Sequence, residues 1–340
     1  MSEIRDGEFV RNDTNEKSMG GTELLTMKLA ELLNEDLKKE VQIVSSRVRD
    51  LQEDKIRIFW AHDLPGDPES EFMKDRHAIE QFHKYVFVSN WQMQQYLQAY
   101  PELQWSECGV LKNAIDPFEE HEKPDAKEQI NLIYHSTPHR GLNILVPVWE
   151  QLAEKHPTAH LHIYSSFDLY GWSERNEPYQ ELFDRIDAHP QMTNHGSQPN
   201  EVIREALKEM HIFAYPSIWA ETSCLCLMEA MSAGLVCVHS NFAALYETGA
   251  SWTNMYQMNE DGNRHAGTFF NVLDTVLNNY VEENVQSRLA PMSSYANVFY
   301  GWQNRINEWN ALCTSLTMQI KDRSFPKPKF SLDTTNRTAV

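Results

Sequence analysis

The sequence predicts two α/β domains, each built on a parallel sheet and facing the other across a cleft, on the strength of three observations. Apolar runs of strand length alternate with helical patterns in both halves of the 340-residue chain. Residues 116–129 (DPFEEHEKPDAKEQ) carry charge and proline and almost nothing to bury, which is linker composition. The length itself is more than one hydrophobic core usually serves.

In the first half, KEVQIVSS (39–46), KIRIFWAH (55–62) and KYVFVSN (84–90) read as buried strands. A helix follows Gly20-Gly21, where Leu25, Leu29, Leu32 and Leu33 share a face, and WQMQQYLQAY (91–100) is another. The second half repeats the pattern with strands INLIYHS (130–136), AHLHIYSS (159–166), HIFAYPS (211–217) and LVCVHS (235–240). Helices are expected at 142–156, 200–210 and 224–234, the last closed by Gly234. A single helix is expected over 295–320, and the 324–340 tail reads as disordered. The expected domains are therefore 1–117, reduced in size, and 118–294, followed by the helix and the tail.

Composition narrows the function. A net charge of −19 argues against nucleic acid and against an anionic lipid surface as bulk partners. No apolar run approaches the roughly 20 residues of a membrane span, and no basic-then-apolar leader opens the sequence. Cys108, Cys224, Cys226, Cys237 and Cys313 are odd in number and scattered, as reduced thiols are in a cytosol. A cytoplasmic location is expected.

Two facing α/β sheets bind ligands at their strand C-terminal ends, yet this architecture serves kinases, epimerases, phosphorylases and binding proteins alike. The chemistry must come from residues. Glu221 and Glu229 stand with seven residues between them, one in the loop after strand 211–217 and one two turns into the next helix. If that helix begins near Ser223, the backbone N–H groups of Ser223, Cys224, Leu225 and Cys226 form a seat for phosphate. Carboxylates on either side accept hydroxyl protons from a sugar and a ribose. Spacing alone favours the plainer reading, with Glu221 a helix-start carboxylate and Glu229 a solvated helix residue.

The surrounding segment, PSIWAETSCLCLMEAMSAGLVCVHSNFAALYE (216–247), resembles the signature of family-4 retaining glycosyltransferases. In that family a Pro-Ser strand end precedes Glu-x7-Glu, an Ala-Met helix, Gly, an apolar strand and a later Glu, here Glu247. Thr222-Ser223-Cys224 replaces the family's Gly-Phe-Gly. The resemblance extends to YHSTPHRGLNILVPVWEQL (134–152), where Arg140-Gly141 matches a Lys-Gly pair that holds the donor diphosphate and His135 stands in place of an Arg. Gly20 and Gly21, within Ser18–Glu23, resemble the glycine loop of the first domain, although the polar stretch before it shows no evident first strand. His62 resembles a histidine that reaches the transferred sugar, and Asn113 and Asp116 match landmarks at the end of the first domain.

The resemblance implies the GT-B fold, with the C-terminal helix returning to the first domain. It also implies transfer of a sugar from a nucleotide-diphosphate donor to a glycan or other hydroxyl acceptor, with retention of configuration. Glu221, Arg140 and His62 would be the catalytic groups. Gly20, Gly21, His135, Arg140, Gly141, Ser223, Cys224, Leu225 and Glu229 would hold the donor. No two aspartates stand in Asp-x-Asp, so no metal or other cofactor is expected. A catalytically silent nucleotide-sugar-binding protein and a GT-B epimerase or phosphorylase are the alternatives.

Overall fold

The computed structural model describes residues 9–10, 20–48, 50–321 and 323. Ser18, Met19 and the 324–340 tail lie outside the described residues. A first parallel sheet takes β1 (Phe9–Val10), β2 (Val41–Ser45), β3 (Ile56–Ala61), β4 (Lys84–Phe87) and β5 (Cys108–Val110) in that order. Around it lie α1 (Gly21–Leu32), α2 (Glu35–Glu40), α3 (Arg76–Ile79) and α4 (Asn90–Ala99). The strand missing from the sequence pattern is present as β1, only two residues long, paired to β2.

β2 and β3 are buried at every position, which is why they read as largely apolar runs despite Gln42 and Arg57. One face sends Ile43, Ile56, Ile58 and Trp60 against Leu25, Leu29 and Leu33. The other sends Val44, Phe59 and Phe87 into a cluster with Phe82, Met93 and Tyr96.

The second sheet has six parallel strands: β6 (Ile130–His135), β7 (Ala159–Tyr164), β8 (Met192–Asn194), β9 (Ile212–Tyr215), β10 (Val236–Ser240) and β11 (Asn254–Tyr256). Their order is β11-β10-β9-β6-β7-β8, so the chain leaves β6 in one direction and returns to its other side at β9. That reversal is a topological switch point, where open α/β sheets leave a crevice. The crossovers carry α5 (Leu142–Lys155), α6 (Gln180–Ala188), α7 (Asn200–Lys208), α8 (Leu225–Ser232), α9 (Leu245–Gly249) and α10 (Gly262–Asn279).

After α11 (Glu283–Gln286), the single helix expected over 295–320 is two: α12 (Leu289–Tyr300) and α13 (Trp302–Gln319). They break at Gly301, which is extended (φ −65°, ψ 142°) because the chain changes domain there. Tyr300 and Ala296 of α12 belong to the second core, whereas Trp302, Ile306, Trp309 and Cys313 of α13 belong to the first. Trp309 meets Trp60 edge-on at 5.1 Å. The other crossing segment runs alongside: Ile115 N donates to Tyr300 O at 2.9 Å and Trp302 N to Ile115 O at 3.2 Å.

A polar latch joins the domains elsewhere. The Glu247 carboxylate, at α9 in the second domain, accepts from the backbone N–H groups of Asn90 and Trp91, both at 3.1 Å, from Asn90 Nδ2 at 2.7 Å, and from Lys112 Nζ. It thus satisfies donors at the start of α4 that no intrahelical carbonyl reaches. Burial opposes its charge, but Lys112 and those N–H groups outweigh it and hold its pKa below the usual carboxylate range. Glu247→Ala is expected to cost about 2 kcal/mol of stability and to widen the interdomain distribution. Small-angle scattering checks this, and an unchanged radius of gyration would contradict the latch.

Candidate functional site

Arg140 and Glu221 approach the switch point from its two sides. Arg140 ends a 3-10 turn, Pro138–Arg140, directly after β6. Gly141 then turns the chain into α5 with φ +136°, and a Cβ there would sit 2.4 Å from Pro216 O. A side chain at 141 would therefore push apart the loops that follow β6 and β9. Glu221 lies in the β9–α8 loop and is 4% exposed. Arg140 Nη1 donates to its Oε1 at 2.8 Å and Oε2 at 3.0 Å, and Tyr215 Oη donates to Oε1 at 2.5 Å. Burial works against the guanidinium charge, but Glu221 outweighs it and raises the Arg140 pKa well above its ordinary value.

α8 begins at Leu225 with Cys224 as its cap, two residues later than the sequence indicated. The unpaired helix-start N–H groups are thus shifted towards Leu225–Leu227, and Ser223 lies in the loop. Leu227, Met228, Ala230 and Met231 are buried, so the helix is fixed in the core rather than laid on a surface. Cys226 Sγ donates to His135 O at 2.9 Å, tying α8 to the end of β6. His135 is buried. Burial opposes its charge, yet the Cys226 sulfur and the Glu229 carboxylate outweigh that and raise its pKa. Glu229 is not a solvated helix residue. It is buried, with its pKa raised by burial, and accepts from Arg204 Nη1 at 3.2 Å. Arg204 in turn lies 4.1 Å above the Phe118 ring.

The first domain closes on this surface. A Cβ on Gly21 would lie 2.8 Å from Leu225 Cδ1, and one on Gly20 would lie 2.9 Å from Tyr170 Cε1. Thr222 Oγ1 donates to His62 O at 2.8 Å. His62 packs on Trp60 with ring centroids 4.4 Å apart, and burial pushes its pKa down to about 3. It is therefore neutral near pH 7, suited to a hydroxyl partner and not to anion binding.

These contacts bring Gly20, Gly21, His62, Arg140, Gly141, Glu221, Ser223, Cys224 and Leu225 to one cleft, with His135 behind Cys226. Glu229 turns to Arg204, and Asn113 and Ile115 lie in the crossing segment. Sequence reasoning passed over Tyr215, the second donor to Glu221, and Asp63 beside His62. Burial, with Glu69, Asp67 and Glu23 nearby, lifts the Asp63 pKa to about 6, against a hydrogen bond from Ser46. Glu23 and Asp63 are 40 residues apart in sequence, so no local motif marked them.

Several polar atoms here are shut off from solvent without a hydrogen bond from the protein: His62 Nε2, His135 Nε2, Thr137 Oγ1, His139 Nδ1, Arg140 Nε, Ser165 Oγ and Ser223 Oγ. Leaving such an atom unpaired costs about 1–3 kcal/mol, and a cluster of them marks where ligand hydroxyl and phosphate groups bond. Among the described residues no group of three or more His, Cys, Asp or Glu side chains is placed to hold a metal ion.

Residues 115–255, which span β6 to β11 and hold Arg140, Glu221 and Glu229, match the family described as Glycosyl transferases group 1. The whole chain has the two-domain GT-B fold of several solved structures. A glycosyltransferase from Rickettsia africae ESF-5 matches with a TM-score of 0.64 at 13% identity, covering 91% of this chain and 85% of that one. Sucrose-phosphate synthase from Thermosynechococcus elongatus matches with 0.62 at 14% identity, covering 81% and 74%. HepE of Anabaena, in complex with UDP and glucose, matches with 0.61 at 13% identity, covering 87% and 84%. Among curated proteins none matches the chain by sequence. No described helix of the chain is long and apolar enough to cross a membrane.

The buried histidines make stability pH-dependent. Burial lowers His62 to about 3 and His239 to about 4 from an ordinary 6.5. Below pH 6.5 the unfolded chain binds protons that the folded chain refuses, so stability falls with pH until the folded values are reached. Each group contributes up to about 1.4 kcal/mol per pH unit in that window. Denaturant unfolding at pH 7, 6 and 5 should show the decline, with a shallower slope in His239→Asn.

Proposed function

We propose that the protein is a retaining glycosyltransferase that moves a sugar from a nucleotide-diphosphate donor to an acceptor hydroxyl. The observation that carries this reading is the Arg140–Glu221 pair, surrounded by unpaired buried polar atoms, at the β6/β9 switch point of a group 1 domain. The diphosphate takes Arg140 and the start of α8, releasing Glu221 to grip hydroxyls of the donor sugar. His135, its pKa raised by the Cys226 sulfur and Glu229, lies on the same side. Glu229, anchored by Arg204, faces the ribose. The negative net charge of −19 gives no long-range help, so recognition is local.

In the reaction the bond between the sugar C1 and the diphosphate oxygen breaks as the acceptor oxygen bonds to C1 on the same face. The acceptor proton passes to the departing diphosphate, whose charge Arg140 stabilises. No residue here is assigned as a covalent nucleophile. A second reading comes from Asp63: a carboxyl with a pKa of about 6 beside His62 is poised as a general base, which belongs to direct displacement with inversion. NMR of the product's anomeric configuration separates the two. Retention is the expected result, and inversion together with loss of activity in Asp63→Asn would transfer the proton to Asp63. Metal independence and a cytosolic setting belong to the same proposal.

Screening UDP-, GDP- and ADP-sugars by thermal shift should find a donor that stabilises by about 2.7 kcal/mol at a hundred times its Kd. Slow donor hydrolysis should accompany it, whereas a silent binding protein would show the shift without turnover. Glu229→Ala should mainly raise the donor KM, and Arg140→Ala should depress kcat as well. Equal activity in both variants would defeat the assignment. Activity should persist in excess EDTA, and its loss would reverse the metal-independent reading.

A further inference from the structure

Cys224 caps α8 and Cys226 lies in its first turn, with Leu225 alone between them. Because Leu225 is helical, helix geometry sets the two Cα atoms about 5.4 Å apart, inside the range that a disulfide spans. The side chains meet: Cys224 donates a hydrogen bond to the Cys226 sulfur. Cys224 is buried, whereas Cys226 is half-buried and so within reach of a small reagent.

The two sulfurs are not alike. Burial, together with its hydrogen bond to Cys226, lifts the Cys224 thiol well above its ordinary pKa. Cys226 moves the other way: the hydrogen bond from Cys224 and the nearby charges of His135 and Arg140 outweigh burial and hold it well below the usual thiol range. Its place in the first turn of α8 adds the helix dipole to that preference for the thiolate. The 2.9 Å contact with His135 O belongs to the thiol form and is given up on ionisation. A nucleophilic sulfur beside a protonated one is the arrangement that senses peroxide. Cys237 and Cys313 contrast with it, since burial raises both thiols and leaves them inert.

We propose that Cys226 and Cys224 are a redox modification site: a hydroperoxide oxidises the Cys226 sulfur, and Cys224 closes a disulfide with it. With hydrogen peroxide, the Cys226 thiolate attacks one oxygen, the O–O bond breaks, and the departing hydroxide takes up the proton that the thiol released, giving water. The Cys224 sulfur then attacks the sulfenic sulfur, the S–O bond breaks, and hydroxide leaves with the Cys224 proton as a second water. The pair loses two electrons and two protons, and one peroxide becomes two waters. A dithiol such as dithiothreitol reverses the step by exchange. In a reducing compartment such a bridge is transient, which suits a switch and not a structural staple. The bridge crosses the first turn of α8, whose unpaired N–H groups take the donor diphosphate on the transferase reading. Oxidation therefore closes the diphosphate seat, a consequence that rests on that reading, whereas the thiol chemistry does not.

Peptide mapping of the full chain, folded and reduced beforehand, then treated with hydrogen peroxide and iodoacetamide, provides the test. The peptide carrying residues 224–226 should lose two hydrogens and take up no alkyl group, and dithiothreitol should restore both thiols. Cys224→Ser should stop at a sulfenic acid that a cyclic diketone traps on Cys226, and Cys226→Ser should form no bridge. Calorimetry with UDP, GDP and ADP reads the seat. The nucleotide that binds the reduced chain should bind the oxidised chain about tenfold more weakly, and at saturation it should protect Cys226 from peroxide. Full alkylation of both thiols after peroxide, oxidation confined to Cys108, or a bridge that forms only in denaturant overturns the site. A bridge that leaves nucleotide affinity unchanged overturns its control of the seat. Absence of nucleotide binding in the reduced chain defeats the transferase reading, and the peptide map then decides the redox site by itself.

Discussion

Everything at the cleft depends on β6 and β9 lying side by side while the chain departs from them in opposite directions. A parallel sheet places its strand C-termini at one edge, and at this reversal no crossover fills the space between the two loops. Arg140 leaves β6 and Glu221 follows β9, so opposite charges meet where the crevice would otherwise hold one of them unpaired. Removing one member of a buried ion pair commonly costs about 3–5 kcal/mol. The tight approach of the loops requires Gly141, whose absent side chain leaves room for the Pro216 carbonyl. Backbone economy and electrostatics are thus set at the same few residues.

The strands were legible because both faces of each central strand are covered. Burial on two sides writes a largely apolar run, and runs such as IRIFWA over β3, interrupted by Arg57 alone, are hard to mistake. The positions of the glutamates, Arg140 and the glycines beside the cleft were legible as a pattern, since they fall at fixed offsets from strand ends. The break at Gly301 was not. No proline marks it, a lone glycine is tolerated inside a helix, and the reason to stop is a change of domain, which is a tertiary fact. α8 starts late for a related reason: Cys224 carries no capping signal comparable to Ser223 just before it. The Glu229–Arg204 pair and the acidic surroundings of Asp63 join residues from separate elements, and periodicity has no access to such meetings. β1 escaped because a two-residue strand has no period to detect.

On the proposed function, a strongly acidic protein that takes a diphosphate must solve a local problem against its own field. Glu221 and Glu229 each have a guanidinium, Arg140 and Arg204, before any ligand is considered. The carboxylates therefore do not repel an incoming phosphate as bare charges would. Arg140 exchanges one anionic partner for another, while Arg204 keeps its own. Ligand binding becomes a substitution within a neutralised set, and its electrostatic cost is smaller than the net charge suggests.

The two segments that cross between domains are hydrogen-bonded to each other at Ile115 and Gly301. Two strings fastened together at one point behave as a pivot: the domains swing about it but cannot slide apart or translate past each other. Opening then has a single dominant coordinate, an angle, and the far rim of the cleft travels most. The Glu247 contact with α4 and Lys112 lies near that pivot, for Tyr300 Oη donates to the neighbouring Thr248 O at 2.7 Å, and it resists the swing close to its axis. Any molecule that must enter an angle rarely visited binds with its intrinsic affinity reduced by the open fraction. Affinity at the cleft can consequently be tuned by residues outside it, in positions that change how often the pivot turns.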